Sequence, residues 1–195
     1  MDQRYIAGVD EVGYGSWAGP VMAGAVVFLG QVDWMHLLAD SKVLLKKRRS
    51  ELAEKIRSSC YVDYSIGSAS VSEIDELGIK RATHLAMLRA ISLLKTKPHL
   101  VRIDGITAPH IEGMDVETVV RGDQTDPAIS AASIIAKVTR DELMRELGET
   151  FPHYNWGKNV GYGTMHHRDA MLEHGITSHH RLSYRPVAQI SAMFR

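Results

Sequence analysis

Residues 10–20 constrain the fold of this chain more than any other stretch of its sequence. They join two apolar segments, residues 5–9 and 21–29, that are short, rich in β-branched side chains and typical of buried strands. The glycines at positions 13, 15 and 19 lie between these segments. Because glycine adopts positive φ angles and lets the main chain approach a ligand closely, the sequence predicts a strand, a glycine-rich turn and an antiparallel strand.

The spacing of these glycines disfavours a dinucleotide site of the Rossmann type. Such a site needs a Gly-x-Gly-x-x-Gly loop that opens a helix, whose N-terminus then faces the pyrophosphate. Here the spacing is Gly-x-Gly-x-x-x-Gly, and a strand-like segment follows.

Two adjacent carboxylates, Asp10 and Glu11, follow the first predicted strand. Residues 5–20 contain no Lys or Arg, and carboxylates are rarely buried without a partner. A divalent cation would be a suitable partner. The alternative is that Asp10 caps a turn and Glu11 faces water.

Two further acids follow predicted strands. Asp104 ends the strand predicted over residues 100–103, and Asp123 lies between the strand predicted over 116–120 and a helix predicted over 128–147. In open α/β sheets, ligands bind outside the carboxyl ends of strands, so we expect these acids to approach Asp10. The alternative for Asp104 is a turn residue before Gly105.

Four carboxylates at one sheet edge would suit magnesium chemistry. Mg²⁺ prefers oxygen ligands, and two such ions about 3.5–4 Å apart can activate water and stabilise the leaving oxygen of a phosphodiester. The acids Asp126 and Asp141 lie nearby in sequence but outside this set, and for Asp141 we expect an ion pair or a helix contact.

Composition predicts one globular domain. The chain has 195 residues, 45% of them hydrophobic and 24% charged, with a net charge of zero. Its lone cysteine, Cys60, excludes an intrachain disulfide and a cysteine zinc cluster, and we expect it to be a small core residue. With no secretion signal and no apolar run of 18 residues, we expect a cytoplasmic protein without a membrane segment.

Local patterns refine this prediction. Residues 42–57 hold seven basic and two acidic side chains, and residues 46–59 have helical spacing with an inward stripe of Leu45, Leu52 and Ile56. The basic face is either solvated or in contact with phosphate. We expect a short helix capped by Ser72 and a scaffold helix over residues 80–94.

The last third of the chain contains six of the ten histidines. They are His153, His166, His167, His174, His179 and His180. No His-Glu-x-x-His motif and no nearby cysteine completes a zinc site. We therefore expect surface, capping or phosphate contacts.

Several sequence blocks resemble the type 2 ribonucleases H, the ribonuclease HII family. They are DEVGYGSWAGPV at 10–21, DSK at 40–42, IDG at 103–105, GD at 122–123, ISAASIIAKVTRD at 129–141, GYGT at 161–164 with His167, and HR at 180–181 with Pro186. They occur in the family's order and extend from about residue 6 to residue 187. Several motifs in order are far more specific than any one of them.

The resemblance implies an α/β fold, a ribonuclease H-like mixed sheet flanked by helices. It implies a single domain over residues 1–195, with a core of about 1–147 and a helical C-terminal extension of about 148–195. The implied activity is that of a divalent-metal-dependent endoribonuclease, acting as a monomer, that cleaves the RNA strand of RNA-DNA hybrids and single ribonucleotides in duplex DNA. The products would carry a 3'-hydroxyl and a 5'-phosphate.

The resemblance also implies the site residues. Two Mg²⁺ or Mn²⁺ ions would be held by the catalytic acids Asp10, Glu11, Asp104 and Asp123. The substrate would contact Gly13, Tyr14, Gly15, Ser41, Lys42 and Tyr162, with Tyr162 against the sugar of the nucleotide after the ribonucleotide.

The opening loop departs from the family's usual pattern. The family usually has Gly-Arg-Gly where this chain has Gly-Tyr-Gly, and Pro-Leu where it has Ser16 and Trp17. Main-chain contacts to the ribose 2'-hydroxyl are expected to remain because both glycines remain. Tyr14 has no cation for a phosphate, and the lost charge-assisted hydrogen bond is worth roughly 1.5–3 kcal/mol.

Two other functions remain open at this point: a duplex-binding protein that does not cut, and a two-metal nuclease that acts on DNA alone. A cluster of acids near phosphates would hinder a pure binder, which argues against the first. Residues 189–194 loosely resemble the peptides with which replication proteins bind the sliding clamp. The alternative is that Val187, Ile190 and Phe194, at helical spacing, pack a terminal helix onto the domain.

Overall fold

The computed structural model describes residues 4–38 and 46–194. Within them a mixed sheet has the strand order β3-β2-β1-β4-β5. Its strands are β1 (Ile6–Val12), β2 (Val21–Phe28), β3 (Val62–Ala69), β4 (Leu100–Asp104) and β5 (Asp115–Val119). β2 runs antiparallel to β1 and β3, whereas β4 runs parallel to β1 and β5 parallel to β4. The predicted mixed α/β sheet is confirmed.

Helices cover both faces of this sheet. They are α1 (Lys46–Ser58), α2 (Val71–Leu77), α3 (Ile79–Leu93), α4 (Gly122–Thr125), α5 (Pro127–Thr150), α6 (Trp156–Asn159), α7 (Met165–His174) and α8 (Arg185–Ser191). Short 3₁₀ turns occur at Met35–Leu37, Pro152–Tyr154 and Ala192–Phe194. No helix in the described ranges is both long and apolar enough to cross a membrane.

The first strand is longer than the sequence predicts, because its two edges end at different residues. Pairing with β4 ends at Val9 and Ile103, but antiparallel pairing with β2 continues to Val12. Asp10 and Glu11 are therefore paired with β2 along one edge of β1, while the edge that faces β4 is no longer paired at these residues. This is the position of the first two predicted site acids.

Helix α5 packs unusually close to the central strands. A Cβ atom on Gly8 would lie 2.1 Å from the backbone carbon of Ala128, and one on Gly24 would lie 2.4 Å from the carbonyl oxygen of Ala132. Glycine is therefore required at both strand positions. The close contact places the N-terminal half of α5 directly behind β1 and β2.

Two local expectations were wrong, and a third could be checked only in part. Ser70, not Ser72, caps α2, since its hydroxyl accepts from the N–H of Glu73 while the Glu73 side chain accepts from the N–H of Ser70. Cys60 is exposed rather than a core residue, because it lies in the turn between α1 and β3. The Leu45 of the predicted α1 stripe lies outside the described residues, whereas Leu52 and Ile56 are buried as expected.

Residues after α5 form a hydrophobic cluster of their own with the glycine-rich loop. Tyr154, Trp156 and Met171 are buried together with Ala18 of the loop and Met144 of α5. Val187 and Ile190 of α8 belong to the same cluster. The C-terminal helices therefore brace the loop that follows β1.

Candidate active site

Two of the predicted site acids lie at adjacent strand ends. Val9 pairs with Ile103 across the parallel strands, so the residues that follow them, Asp10 and Asp104, lie side by side on neighbouring strands. Glu11 and Asp104 line one cavity of about 350 Å³. Asp10 is buried, with 6% of its surface exposed.

The carboxyl group of Asp10 is in an environment that disfavours its charge. Burial raises the pKa of Asp10 to about 7, and the negative charges of Glu11 and Asp104 also raise it. Hydrogen bonds from Ser133 and from the N–H of Glu11, the latter at 2.8 Å, act in the opposite direction. The described surroundings of Asp10 thus hold like charges near it, and a bound cation would relieve their repulsion.

Asp123 lies next to the Asp104 end of this cluster. It is 1% exposed and occupies the first turn of α4, after Arg121 has turned the chain in the left-handed region with a φ of 58°. The N–H of Gly122 donates to Oδ1 of Asp104 at 2.7 Å. This bond ties the α4 segment that carries Asp123 to the end of β4.

The two acids left outside the predicted set have structural partners. Asp126 caps α5, accepting from the N–H groups of Ala128 and Ile129, and also bonds Arg102 at 3.1 Å. Asp141 pairs with Lys137 at 2.8 Å along the helix, which confirms the expected ion pair.

The chemistry of the acid cluster fits a hard divalent ion. In the described ranges, no three His, Cys, Asp or Glu side chains are already gathered into a cation site. The oxygen donors of Asp10, Glu11 and Asp104 nevertheless come from the ends of two neighbouring strands, and burial followed by the charges of Glu11 and Asp104 raises the pKa of Asp10. A Mg²⁺ or Mn²⁺ ion takes such ligands.

Two buried arginines fix the glycine-rich loop through its carbonyl groups. Arg140 donates to the carbonyl oxygens of Pro20, Val160 and Ala18 at 2.9, 2.9 and 3.1 Å. Arg181 donates to those of Gly19 and Tyr14 at 2.9 and 3.1 Å. Both side chains have no exposed surface. Burial and the charge of Arg181 lower the pKa of Arg140 to about 10, so it remains protonated at neutral pH.

Gly13 is required by this arrangement. Its φ is 87°, and a Cβ atom there would lie 2.2 Å from Nε of Arg140. The loop therefore combines a left-handed backbone with close contact to a buried cation. Gly13, the first of the predicted substrate-binding glycines, meets both conditions.

Tyr14 and Tyr162 present aromatic rings on the surface of this region. They are 46% and 39% exposed. A Cβ atom on Gly15 would lie 3.8 Å from the Tyr162 ring, so Gly15 and Tyr162 are neighbours. The carbonyl oxygen of Tyr14 accepts hydrogen bonds from Arg181 and from the hydroxyl of Tyr184. The structure thus brings Gly13, Tyr14, Gly15 and Tyr162 together, while Ser41 and Lys42 lie outside the described residues.

The unusual Trp17 joins the two loops. Its backbone N–H donates to the carbonyl oxygen of Gly161 at 2.7 Å. A Cβ atom on Gly163 would lie 2.1 Å from the Trp17 ring, so the ring occupies the space that a larger residue at position 163 would need. Trp17 therefore packs the loop after β1 against the loop that carries Tyr162.

Two histidines differ from the expected surface, capping or phosphate roles. His167 and His180 are 0% and 2% exposed, and their Nε2 atoms are 3.2 Å apart. Nδ1–H of His167 donates to the carbonyl oxygen of Tyr162, and Nδ1 of His180 accepts from the N–H of Thr177, so Nε2–H of His180 donates to His167. Burial lowers the pKa of both, that of His180 to about 3. This neutral pair holds the main chain of Tyr162 through the hydrogen bond from His167 to its carbonyl oxygen.

Sequence reasoning missed Arg140 and Arg181 as loop supports and His167 and His180 as a buried pair. Arg140, His167, His180 and Arg181 all lie within or beside the blocks that carry the family resemblance. That coincidence was the available signal, but no local pattern marks an arginine as buried when its partners are carbonyl groups of distant residues.

Comparisons with known proteins agree with these features. The family model described as Ribonuclease HII matches residues 7–187. The Ribonuclease HII of Pelagibacter ubique (strain HTCC1062) is 46% identical over 187 residues, which cover 96% of this chain and 99% of that protein.

Solved structures show the same fold. The ribonuclease H2 from Pyrococcus horikoshii OT3 matches with a TM-score of 0.79 at 24% identity, over 98% of this chain and 99% of that one. The ribonuclease in the PCNA:RNase HII complex from Archaeoglobus fulgidus matches with a TM-score of 0.74 at 26% identity, over 92% and 95%.

Proposed function

Because the chain belongs to the ribonuclease HII family and is thus a type 2 ribonuclease H endoribonuclease, we propose that it cleaves RNA-DNA hybrids and single ribonucleotides within duplex DNA. The products would carry a 3'-hydroxyl and a 5'-phosphate. The observation that carries the proposal is the crowding of Asp10, Glu11 and Asp104 at the ends of two neighbouring strands, beside the glycine-rich loop.

The acids would act as ligands of divalent metal ions. Asp10, Glu11, Asp104 and Asp123 are the proposed set, holding two Mg²⁺ or Mn²⁺ ions. When bound, such ions supply activation of water and stabilisation of the leaving oxygen. Asp10 would be kept in place by the N–H of Glu11 and the side chain of Ser133, and Asp104 by the N–H of Gly122.

The loop would select ribose through its main chain. Within the described part of the chain, nothing accepts a hydrogen bond from the N–H of Tyr14 or of Gly15. The carbonyl groups of Tyr14, Ala18 and Gly19 point to the buried arginines instead. The two N–H groups are therefore available to the 2'-hydroxyl, the group that distinguishes RNA from DNA.

Side chains around the loop would orient the duplex. The exposed ring of Tyr162 would lie against the sugar of the following nucleotide, with its carbonyl group held by His167. Ser41 and Lys42 are proposed phosphate contacts on the family resemblance alone. We propose that Tyr14, which has no cation, contacts the substrate with its ring and main chain.

The test is a set of three labelled duplexes of one sequence: an RNA-DNA hybrid, a duplex with one ribonucleotide, and all-DNA. Each is incubated with Mg²⁺, Mn²⁺ or EDTA, and the product ends are identified by mass. Metal-dependent cutting of the first two alone supports the proposal. Cutting of all-DNA would indicate a DNA nuclease, and tight binding without cutting would indicate a duplex-binding protein.

A sliding-clamp contact is a second proposal, favoured by the end of the chain. Met193 and Phe194 are 71% and 56% exposed, whereas Ile190 is 4% exposed in the C-terminal cluster. The relative from Archaeoglobus fulgidus was solved as a complex with PCNA. Replacing Met193 and Phe194 by Ala should abolish binding to a clamp without lowering the melting temperature. Unchanged clamp binding would contradict this proposal.

A further inference from the structure

The cavity beside the acids has a second wall that belongs to helix α3. Glu11, Tyr14 and Asp104 lie on one side of it, and residues of one α3 face lie on the other. These α3 residues are Lys80, Thr83, His84 and Met87. Their spacing of three, one and three residues places them on a single face of the helix. The cavity, of about 350 Å³, is therefore bounded by acids on one wall and by this mixed basic and polar face on the other.

Lys80 is the one lysine or arginine among the described residues that line this cavity. Its side chain is exposed, and it makes no ion pair with a described carboxylate. The neighbouring His84 is half-buried, and burial followed by the charge of Lys80 lowers its pKa. The α3 wall thus carries the basic side chain of Lys80 beside an imidazole whose charged form is disfavoured.

Thr83 provides an independent observation that points to a ligand. It is 4% exposed, and its hydroxyl is buried without a hydrogen-bond partner among the described residues. Burying a hydroxyl in this state costs about 1–3 kcal/mol, so such groups normally find a partner. Because Thr83 lines the cavity, a rotation of its side chain about χ1 would let the hydroxyl donate to an oxygen atom of a bound ligand.

We propose that this α3 face, Lys80 with Thr83, is a subsite for a backbone phosphate of the nucleic-acid substrate. The ammonium group of Lys80 binds a non-bridging phosphate oxygen, and the hydroxyl of Thr83 donates to an oxygen of the same group. A phosphate is the anion that must pass these acids if the chain cuts a phosphodiester, so the inference rests on the proposed function. It also supplies a cation across the cavity from Tyr14, which has none.

The first experiment measures binding and cleavage by Lys80→Gln. Binding of a fluorescent RNA-DNA hybrid is followed by anisotropy in EDTA over a series of salt concentrations. Loss of one phosphate contact should weaken binding and reduce the slope of log affinity against log salt by roughly 0.7–0.9. With metal present, KM should rise while kcat changes little.

Lys97→Gln is the matched control. Lys97 is exposed and precedes β4, at the opposite end of the strand from Asp104. The salt slope and the KM of the Lys97→Gln variant should equal those of the wild type. Equal effects of both variants would show general surface attraction and would overturn the subsite.

The second experiment separates the hydroxyl of Thr83 from its packing. Thr83→Val should weaken hybrid binding by roughly tenfold or more, because a hydrogen bond to a charged group is lost. Its melting temperature should not fall, since the hydroxyl has no partner in the described protein. Thr83→Ser keeps the hydroxyl and should bind as the wild type does. A Thr83→Val protein with wild-type affinity would refute the role of this hydroxyl.

Failure of the subsite differs from failure of the proposed function. If the wild type cuts hybrids and Lys80→Gln shows an unchanged salt slope and KM, the subsite is wrong and the function stands. If the wild type cuts no ribonucleotide-containing duplex, the proposed function is wrong, and an unchanged anisotropy slope in the Lys80 variant would then also overturn the subsite.

Discussion

Asp10→Asn should make the metal-free protein more stable while it abolishes cleavage. Asn has nearly the shape of Asp, so its side-chain oxygen can still accept from the N–H of Glu11 and its amide can donate to Ser133. The change removes a buried charge that lies near Glu11 and Asp104. A proposed metal ligand is lost together with a buried, repelled charge that destabilises the metal-free protein.

The magnitude follows from the raised pKa of Asp10. In the folded protein this pKa is about 7, against 3.8 for an unperturbed carboxyl group. Between these values the folded state holds a proton that the unfolded state has lost, so stability falls as the pH rises from about 4 to 7. At 1.36 kcal/mol for each pH unit, the full cost above pH 7 is on the order of 4 kcal/mol. Asp10→Asn should recover most of it at pH 8 and little at pH 4.

Urea unfolding in EDTA at pH 5 and pH 8 measures this effect. For an m-value of about 2 kcal/mol/M, the midpoint at pH 8 should rise by roughly 2 M, and by less at pH 5. Asp169→Asn is the matched control, because Asp169 is exposed on α7 and should give no pH-dependent gain. Added Mg²⁺ should stabilise the wild type more than the Asp10 variant, since binding to the folded state raises its stability.

Two results would refute this reasoning. A midpoint for Asp10→Asn that exceeds the wild type equally at pH 5 and pH 8, or does not exceed it at all, would show that Asp10 carries no repelled charge. Substantial hybrid cleavage by the folded variant would show that its carboxylate is not a metal ligand.

Three further changes probe the loop and the end of the chain. Tyr14→Arg should tighten hybrid binding and steepen its salt dependence by adding a phosphate contact; an unchanged slope in anisotropy titrations would show that residue 14 does not face phosphate. Tyr184→Phe removes a hydrogen bond to the Tyr14 carbonyl group and should raise KM severalfold, whereas Tyr154→Phe, which loses a hydroxyl contact away from the loop, should not; equal kinetics would contradict the positioning role. Deleting residues 189–195 removes the buried Ile190 and should lower the melting temperature in a thermal scan, and an unchanged value would mean that this segment is not part of the packed cluster.

Much of the fold was predictable because its signals are local. Apolar β-branched runs and helical spacing placed β1, β2, β4, β5 and the longer helices within a few residues of their observed bounds. The end of β4 could be read in the same way, and so could the places of Asp10 and Asp104 near strand ends, although β1 itself continues to Val12. The exception was Asp123, whose short helix α4 after a left-handed Arg121 has no periodic signal.

The sequence by itself determined the order of the strands and acids along the chain, the glycine-rich loop and the family resemblance. Only the tertiary structure decided what surrounds these residues. Arg140 and Arg181 reach loop carbonyls that lie 122 and 162 residues away in sequence, and Thr83 lies across a cavity from Glu11. Periodicity reports which face of an element is apolar, whereas burial, hydrogen-bond partners and a shifted pKa depend on segments that meet only after folding.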